Sequence, residues 1–233
     1  MHTKKNAGAH EAQRKPLKPW IKIAAAILGV LLLSLVGLRF RSWLAQRGEA
    51  RNVVLVNPWN DVDKSGFRPN LTTVEGVEVD KSCASDLERM MADCRATGCP
   101  ITLTAGYRSR EDQLSFFNNE VDRQMLSGRS ADAAYVIAEQ RVGLPGTSEH
   151  ELGLAVDFQG AAAQSWLKEN AWRYGFILRY PEGSESVTGR SAEAAHFRYV
   201  GDAAAQQIHD LDITLEEYMG MFYTQEAEIV IER

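Results

Sequence analysis

Residues 148–157 read Ser148-Glu149-His150-Glu151-Leu152-Gly153-Leu154-Ala155-Val156-Asp157. The first half crowds two carboxylates and an imidazole ahead of a glycine. The second half is apolar and ends on Asp157. A Gly/Pro loop, 141–148 (RVGLPGTS), precedes it, so the segment reads as a loop running into a strand over Leu154–Phe158. A second imidazole enters a second strand in Glu193-Ala194-Ala195-His196-Phe197-Arg198-Tyr199, with the strand predicted over His196–Val200. Zinc takes imidazole nitrogen and carboxylate oxygen, and a catalytic site keeps three protein ligands and one open position for water. His150, Asp157 and His196 would supply such a set, and Glu193 or Glu149 could take the proton of the water. Spacing alone leaves the simpler reading open, in which His150 is a surface histidine near a turn aspartate.

The flanking sequence predicts mixed helix and strand. Leu87, Met90, Met91 and Cys94 recur at helical spacing, and Gly98 ends that helix. Ile101–Ala105 alternates and reads as a strand. Ser109 with Asp112 forms a capping start, and Leu114, Phe117, Val121 and Met125 mark the expected buried face of the helix that follows. Further helices are expected over Ala131–Gln140, Ala161–Tyr174, Ala203–Asp210 and Leu215–Phe222, with a strand at Phe176–Tyr180 and a polar loop over 181–192. The class is α+β, a small, mainly antiparallel sheet covered by helices.

These segments resemble, in order, the motifs of the VanY-type zinc D-alanyl-D-alanine carboxypeptidases, a group related to D-alanyl-D-alanine dipeptidases and to the Hedgehog fold. Ser148-x-His150-x-x-Gly153-x-Ala155-x-Asp157 looks like the family's S-x-H-x-x-G-x-A-x-D. Gly106-Tyr107-Arg108-Ser109 with Gln113 is similar to its G-Y-R-S-x-x-x-Q. Glu193-x-x-His196-Phe197-Arg198-Tyr199-Val200-Gly201 is similar to E-x-W-H-F-R-Y-V-G. Trp172-x-x-x-Gly175-Phe176, Arg179-Tyr180-Pro181 and Leu215-Glu216-Glu217-Tyr218 also fit, so the resemblance covers roughly residues 53–220. It implies His150, Asp157 and His196 as ligands of Zn2+, Glu193 as general base, and Arg108 as the group on the substrate carbonyl oxygen or terminal carboxylate. Ser148 and Gln113 would line the substrate end. The family usually has Trp before the second histidine and often Pro before that. Here Ala195 and Ala194 stand there, which removes a bulky wall and bears on substrate choice.

The N-terminal side is different in kind. Residues 1–41 carry eight basic side chains against Glu11 alone, a net +7; the whole chain is −5, so the remainder carries −12. An acidic domain repels phosphate, which argues against nucleic-acid binding. Ile23–Leu38 is a run of 16 uncharged residues bounded by Lys22 and Arg39. A span needs about 20 residues, which Ile21 and snorkelling at both ends can make up. The exit sequence RFRSWLAQR lacks the small residues of a cleavage site. Six basic residues precede the run and two follow closely, so the positive-inside rule puts the N-terminus in the cytoplasm and the domain outside. The predicted organisation is a basic cytoplasmic tail (1–19), a transmembrane signal anchor (20–41), a linker (42–52) and a zinc peptidase domain (53–233).

The function expected from the resemblance is a membrane-anchored D,D-carboxypeptidase that removes the terminal D-alanine of peptidoglycan stem peptides. The alternatives are an L,D-carboxypeptidase or D-Ala-D-Ala dipeptidase on the same fold, and a catalytically silent wall-binding module. Glu149 and Glu151 are expected to be solvated loop carboxylates, His209 a surface histidine, and Arg198 and Tyr199 a brace for His196. Cys94 and Cys99 are close enough in sequence to pair, and the odd count of three leaves a free thiol in either case.

Overall fold

Four short antiparallel strands form the main sheet, in the spatial order Thr102–Ala105, Ala155–Gln159, Glu193–Tyr199 and Phe176–Tyr180. The computed structural model describes residues 51–221, all within one compact unit, Arg47–Arg233. The predicted tail, anchor and nearly all of the linker lie outside these residues, as does Phe222. No helix among the described residues is long and apolar enough to cross a membrane.

The elements run α1 (Val62–Ser65), β1 (Leu71–Val74), β2 (Val77–Asp80), α2 (Lys81–Ala96), β3 (Thr102–Ala105), α3 (Arg110–Leu126) and α4 (Ala131–Arg141). A 3-10 turn (Glu149–Leu152) then leads into β4 (Ala155–Gln159), followed by α5 (Ala161–Asn170), β5 (Phe176–Tyr180), α6 (Glu185–Thr188), β6 (Glu193–Tyr199) and α7 (Asp202–Leu211). A last helical segment covers 215–221.

The expected α2 forms as its spacing dictates. Cys83, Leu87, Met90, Met91 and Cys94 are all buried on one face and pack with Val156, Phe158, Phe176 and Phe197 in the main core. Phe158 and Phe197 meet edge-on at 6.0 Å between centroids. Full burial of each such side chain contributes roughly 1.5–3 kcal/mol. Asp80 caps α2, accepting from Ser82 N and Asn70 N, and also pairs with Arg51. Its own amide donates to the Gly153 carbonyl at 2.8 Å, which ties the start of α2 to the end of the 148–153 turn.

Several features depart from the sequence reading, and one is the short helix α6 (Glu185–Thr188) inside the stretch 181–192 expected as a polar loop. The β1–β2 hairpin was not foreseen. Its two-residue turn, Glu75-Gly76, has both residues at positive φ (48° and 85°), as a type I′ turn demands. Glu75 holds that conformation while forming a two-point ion pair with Arg95 at 2.6 and 2.8 Å. The buried face of α3 is also rotated from the expected one. Leu114 and Met125 are exposed, whereas Gln113, Phe117, Glu120 and Gln124 face inward. Those polar groups are satisfied locally: Glu120 accepts from Arg123 and Gln124, and Phe117 meets Tyr135 of α4 edge-on at 5.1 Å. Finally, the helix predicted over Ala161–Tyr174 ends at Asn170 and continues as a 3-10 turn, Ala171–Tyr174. Trp172 of that turn stacks on His209 at 4.5 Å, with His209 at the surface.

The three cysteines are free thiols. Burial pushes Cys83 up to about 12, so it stays a neutral core residue. Cys94 Sγ lies 3.8 Å from the Cys99 carbonyl across the turn that ends α2.

Candidate functional site

The 3-10 turn, β4 and β6 each deliver one residue to a common point. Asp157 and His196 are direct cross-strand partners in the β4–β6 register. His150 reaches the same point from the turn that precedes β4. One donor atom from each of the three lies within 4.8 Å of the others. Asp157 stands between the imidazoles, with Oδ2 at 3.3 Å from His150 Nε2 and Oδ1 at 3.0 Å from His196 Nδ1. Donors about 2.0–2.1 Å from a tetrahedral zinc lie about 3.3 Å from one another, so the spacing and the N, N, O donor set both fit that ion.

The orientation of His150 follows from the Gly106-Tyr107-Arg108 segment. Nδ1 lies 2.7 Å from the Gly106 carbonyl, to which its N–H donates, and this leaves the Nε2 lone pair facing Asp157. Tyr107 N donates to Glu78 O at 2.6 Å and Arg108 N to His150 O at 3.1 Å, so the two motifs are stitched together through their backbones. Position 106 must be glycine, because a Cβ there would meet Glu78 O at 2.3 Å.

Charge reinforces the cluster. Burial raises the Asp157 carboxyl, but the two imidazoles outweigh it and hold the group well below the usual carboxylate range. Burial pushes His196 down, and the carboxylates of Asp157 and Glu149 outweigh it, raising the imidazole to about 9. The ring of Tyr180 lies against His196 at 5.0 Å between centroids.

Around the three donors lies a cavity of about 200 Å³, whose walls include Arg108, Ser148, Tyr180, Arg190 and Glu193. Glu193 opens β6 opposite Tyr180 and is half-buried. Burial lowers the Arg108 group, opposed by the charges of Asp157 and Glu193; its guanidinium lies over the Phe116 ring at 4.1 Å. Ser148 lines the cavity as the sequence led us to expect. Gln113 does not: it is fully buried behind the wall. Its Oε1 accepts from Arg108 Nη1 at 2.9 Å, and its Nε2 donates to the Val142 and Gly143 carbonyls. It steadies Arg108 instead of meeting the cavity. Ala194 is exposed and Ala195 half-buried, and neither forms part of the cavity wall.

The largest correction concerns the carboxylates beside His150. Glu149 is 1% exposed and Glu151 7%, so neither is a solvated loop charge. Glu151 accepts from Gly146 N at 2.6 Å and Arg110 Nε at 3.0 Å, bracing the preceding loop. Glu149 sits among Arg179, Arg198 and His196. Arg198 braces the site through that carboxylate, while Tyr199 turns away to Asp86 at 2.8 Å. Arg190, buried, spends its guanidinium on the Glu139 and Thr147 carbonyls and the Thr147 hydroxyl, tying the ends of the 141–148 loop together.

With this geometry in hand, the comparison with protein families is specific: residues 76–202 match the model described as VanY, D-alanyl-D-alanine carboxypeptidase. The chain belongs to the VanY family. The match begins at the β1–β2 turn and ends at the start of α7, so it contains every residue of the cluster and its cavity. Among VanY relatives, a D-alanyl-D-alanine carboxypeptidase of Enterococcus faecalis (strain ATCC 700802 / V583) is 35% identical over 175 residues, covering 72% of this chain. The chain spans 65% of that relative's length. A solved structure of a variant of the vancomycin resistance D,D-pentapeptidase VanY from a VanB-type cassette, in complex with Zn(II), superposes with a TM-score of 0.70 at 35% identity. That match covers 72% of this chain and 99% of the other. VanYB in complex with D-alanine-D-alanine superposes with a TM-score of 0.69 at 34% identity, covering 72% and 97%.

Proposed function

We propose that the protein is a zinc-dependent D,D-carboxypeptidase that removes the C-terminal D-alanine from peptidoglycan stem peptides. The observation that carries this reading is the meeting of His150, Asp157 and His196 in one cavity with Glu193 and Arg108 on its walls. VanY relatives whose structures hold Zn(II) or D-alanine-D-alanine support it.

His150 Nε2, Asp157 and His196 Nδ1 would hold the ion. When bound, zinc would act as a Lewis acid on the scissile carbonyl and bring a water toward ionisation near neutral pH. The Glu193 carboxylate takes the proton of the attacking water and passes it to the leaving amine, so its own charge is restored at the end of the cycle. Arg108 turns a guanidinium toward the same cavity, where it steadies the negative oxygen that develops on the carbonyl or the carboxylate of the terminal residue. Gln113 and Phe116 fix where that guanidinium points.

Incubation of the purified full-length chain with muramyl pentapeptide, muramyl tetrapeptide and D-Ala-D-Ala tests this. Release of D-alanine from the pentapeptide alone, abolished by a chelator and restored by Zn2+, is the expected result. Release from the tetrapeptide indicates an L,D-carboxypeptidase, cleavage of the free dipeptide a dipeptidase, and binding without product a silent module.

We further propose that residues 20–41 anchor the chain in the cell membrane with the peptidase domain on the outer side, as the basic tail and apolar run suggest. The chain is then expected in the membrane fraction, resistant to high-salt extraction, with the domain cleaved by protease added to intact spheroplasts. Protection of the domain in those cells would reverse the orientation.

A further inference from the structure

A buried ion network lies against the metal-ligand cluster, and the chemistry above makes no use of it. Glu149 Oε1 accepts from Arg179 Nε and Arg198 Nη1, both at 2.8 Å, and all three side chains are fully shielded from water. The arginines are themselves anchored. Arg179 gives its other two nitrogens to Glu216 at 2.9 and 2.6 Å. Arg198 gives Nη2 to the Asn52 and Val54 carbonyls and Nε to Tyr199 O. One carboxylate oxygen is thus committed. The other, Oε2, has no hydrogen-bond partner, and neither has His196 Nε2; among the described residues no other buried side-chain polar atom is left so. The two atoms face each other at 3.6 Å. On the far edge of the same ring, Nδ1 looks at Asp157 from 3.0 Å.

A neutral imidazole carries one proton, and whichever nitrogen keeps it cannot bind a metal. We infer that Glu149 is a positioning residue: its Oε2 holds the proton of His196 on Nε2 and so presents the Nδ1 lone pair to the ion shared with Asp157 and His150. His150 is oriented by the reverse arrangement, with its Nδ1 proton on the Gly106 carbonyl and Nε2 facing inward. The two imidazoles therefore need different outer partners, and a carboxylate is the stronger of the two. Left alone in the interior, that carboxylate would be costly; Arg179 and Arg198 supply the opposite charge and fix its rotation.

The inference rests on the zinc reading, and its test reads metal affinity, not turnover. The dissociation constant for Zn2+ is measured on the full-length chain by competition with a chromophoric chelator, for wild type, Glu149→Gln and Glu216→Gln. Glu149→Gln keeps the shape but offers an amide in place of the second carboxylate oxygen, and is expected to weaken Zn2+ binding about 10–100-fold. Glu216→Gln disturbs Arg179 without touching His196, and is expected to stay within about 3-fold of wild type. Equal weakening in both variants would mean general loosening of the network and would overturn the inference, as would wild-type affinity in Glu149→Gln. Should Glu149→Gln fail to fold, long-range 1H–15N correlation on the zinc-loaded wild type decides the matter: a proton on His196 Nε2 supports the assignment and one on Nδ1 overturns it. A wild-type chain that binds no Zn2+ overturns the parent reading as well, a pattern distinct from any of the others.

Discussion

Glu193→Gln is expected to lower kcat on pentapeptide by about 10²–10⁴-fold, the range that a positioned acid–base group contributes, while the zinc content per chain stays at the wild-type value. Glu193 is not one of the three donors that converge, so its amide leaves the ligand set intact. It stands at the start of β6, half-buried on the wall of the same cavity, where solvent can reach it. The amide is isosteric and cannot accept a proton, so substrate binding should change little and KM should stay within a few-fold. The check is steady-state kinetics together with metal analysis of the same preparation. Full turnover in this variant would exclude Glu193 as the base. Glu149, the other carboxylate that the sequence offered for the role, is 1% exposed, with one oxygen shared by two arginines and the other against His196 Nε2 at 3.6 Å, so an attacking water has little access to it.

His150→Ala is expected to remove both activity and metal. It deletes one of three ligands outright, so zinc affinity should fall by more than the roughly 10–100-fold that the loss of an outer hydrogen-bond partner costs. The effect should be local. The His150 ring makes a bond to the Gly106 carbonyl and a contact with Asp157 Oδ2 at 3.3 Å, while the backbone links of its turn, Arg108 N to His150 O and Asp80 N to Gly153 O, do not depend on the ring. The variant should therefore unfold cooperatively at close to the wild-type temperature when both are compared without metal. Element analysis after dialysis reads the outcome, and unchanged zinc stoichiometry would take His150 out of the ligand set.

The meeting of His150, Asp157 and His196 was legible through the motifs that resemble those of VanY, since spacing alone left His150 open as a surface histidine; in the fold Asp157 and His196 face each other across β4 and β6, and His150 joins them from the turn before β4. The helix over Leu87–Cys94 was legible more directly, since apolar spacing alone specifies its buried face. Other features depended on partners distant in the chain. Glu149 and Glu151 look like surface charges in isolation, and they are buried only because Arg179, Arg198 and Arg110 arrive from elsewhere to meet them. The face of α3 was misread for the same cause. Apolar spacing favoured Leu114 and Met125, but hydrogen bonds from Gln113 to the 142–143 carbonyls and the Phe117–Tyr135 contact set the rotation. The β1–β2 hairpin escaped notice because its turn places glutamate, not the asparagine or aspartate usual in such turns, ahead of glycine at positive φ.

A zinc-edge anomalous difference map from crystals of the full-length chain grown with Zn2+ tests the convergence of the three ligands most directly. The expected result is one strong peak bounded by His150 Nε2, an Asp157 carboxylate oxygen and His196 Nδ1, at about 2.0–2.2 Å from each. A peak elsewhere, or ordered side chains at all three positions with no peak between them, would contradict the assignment.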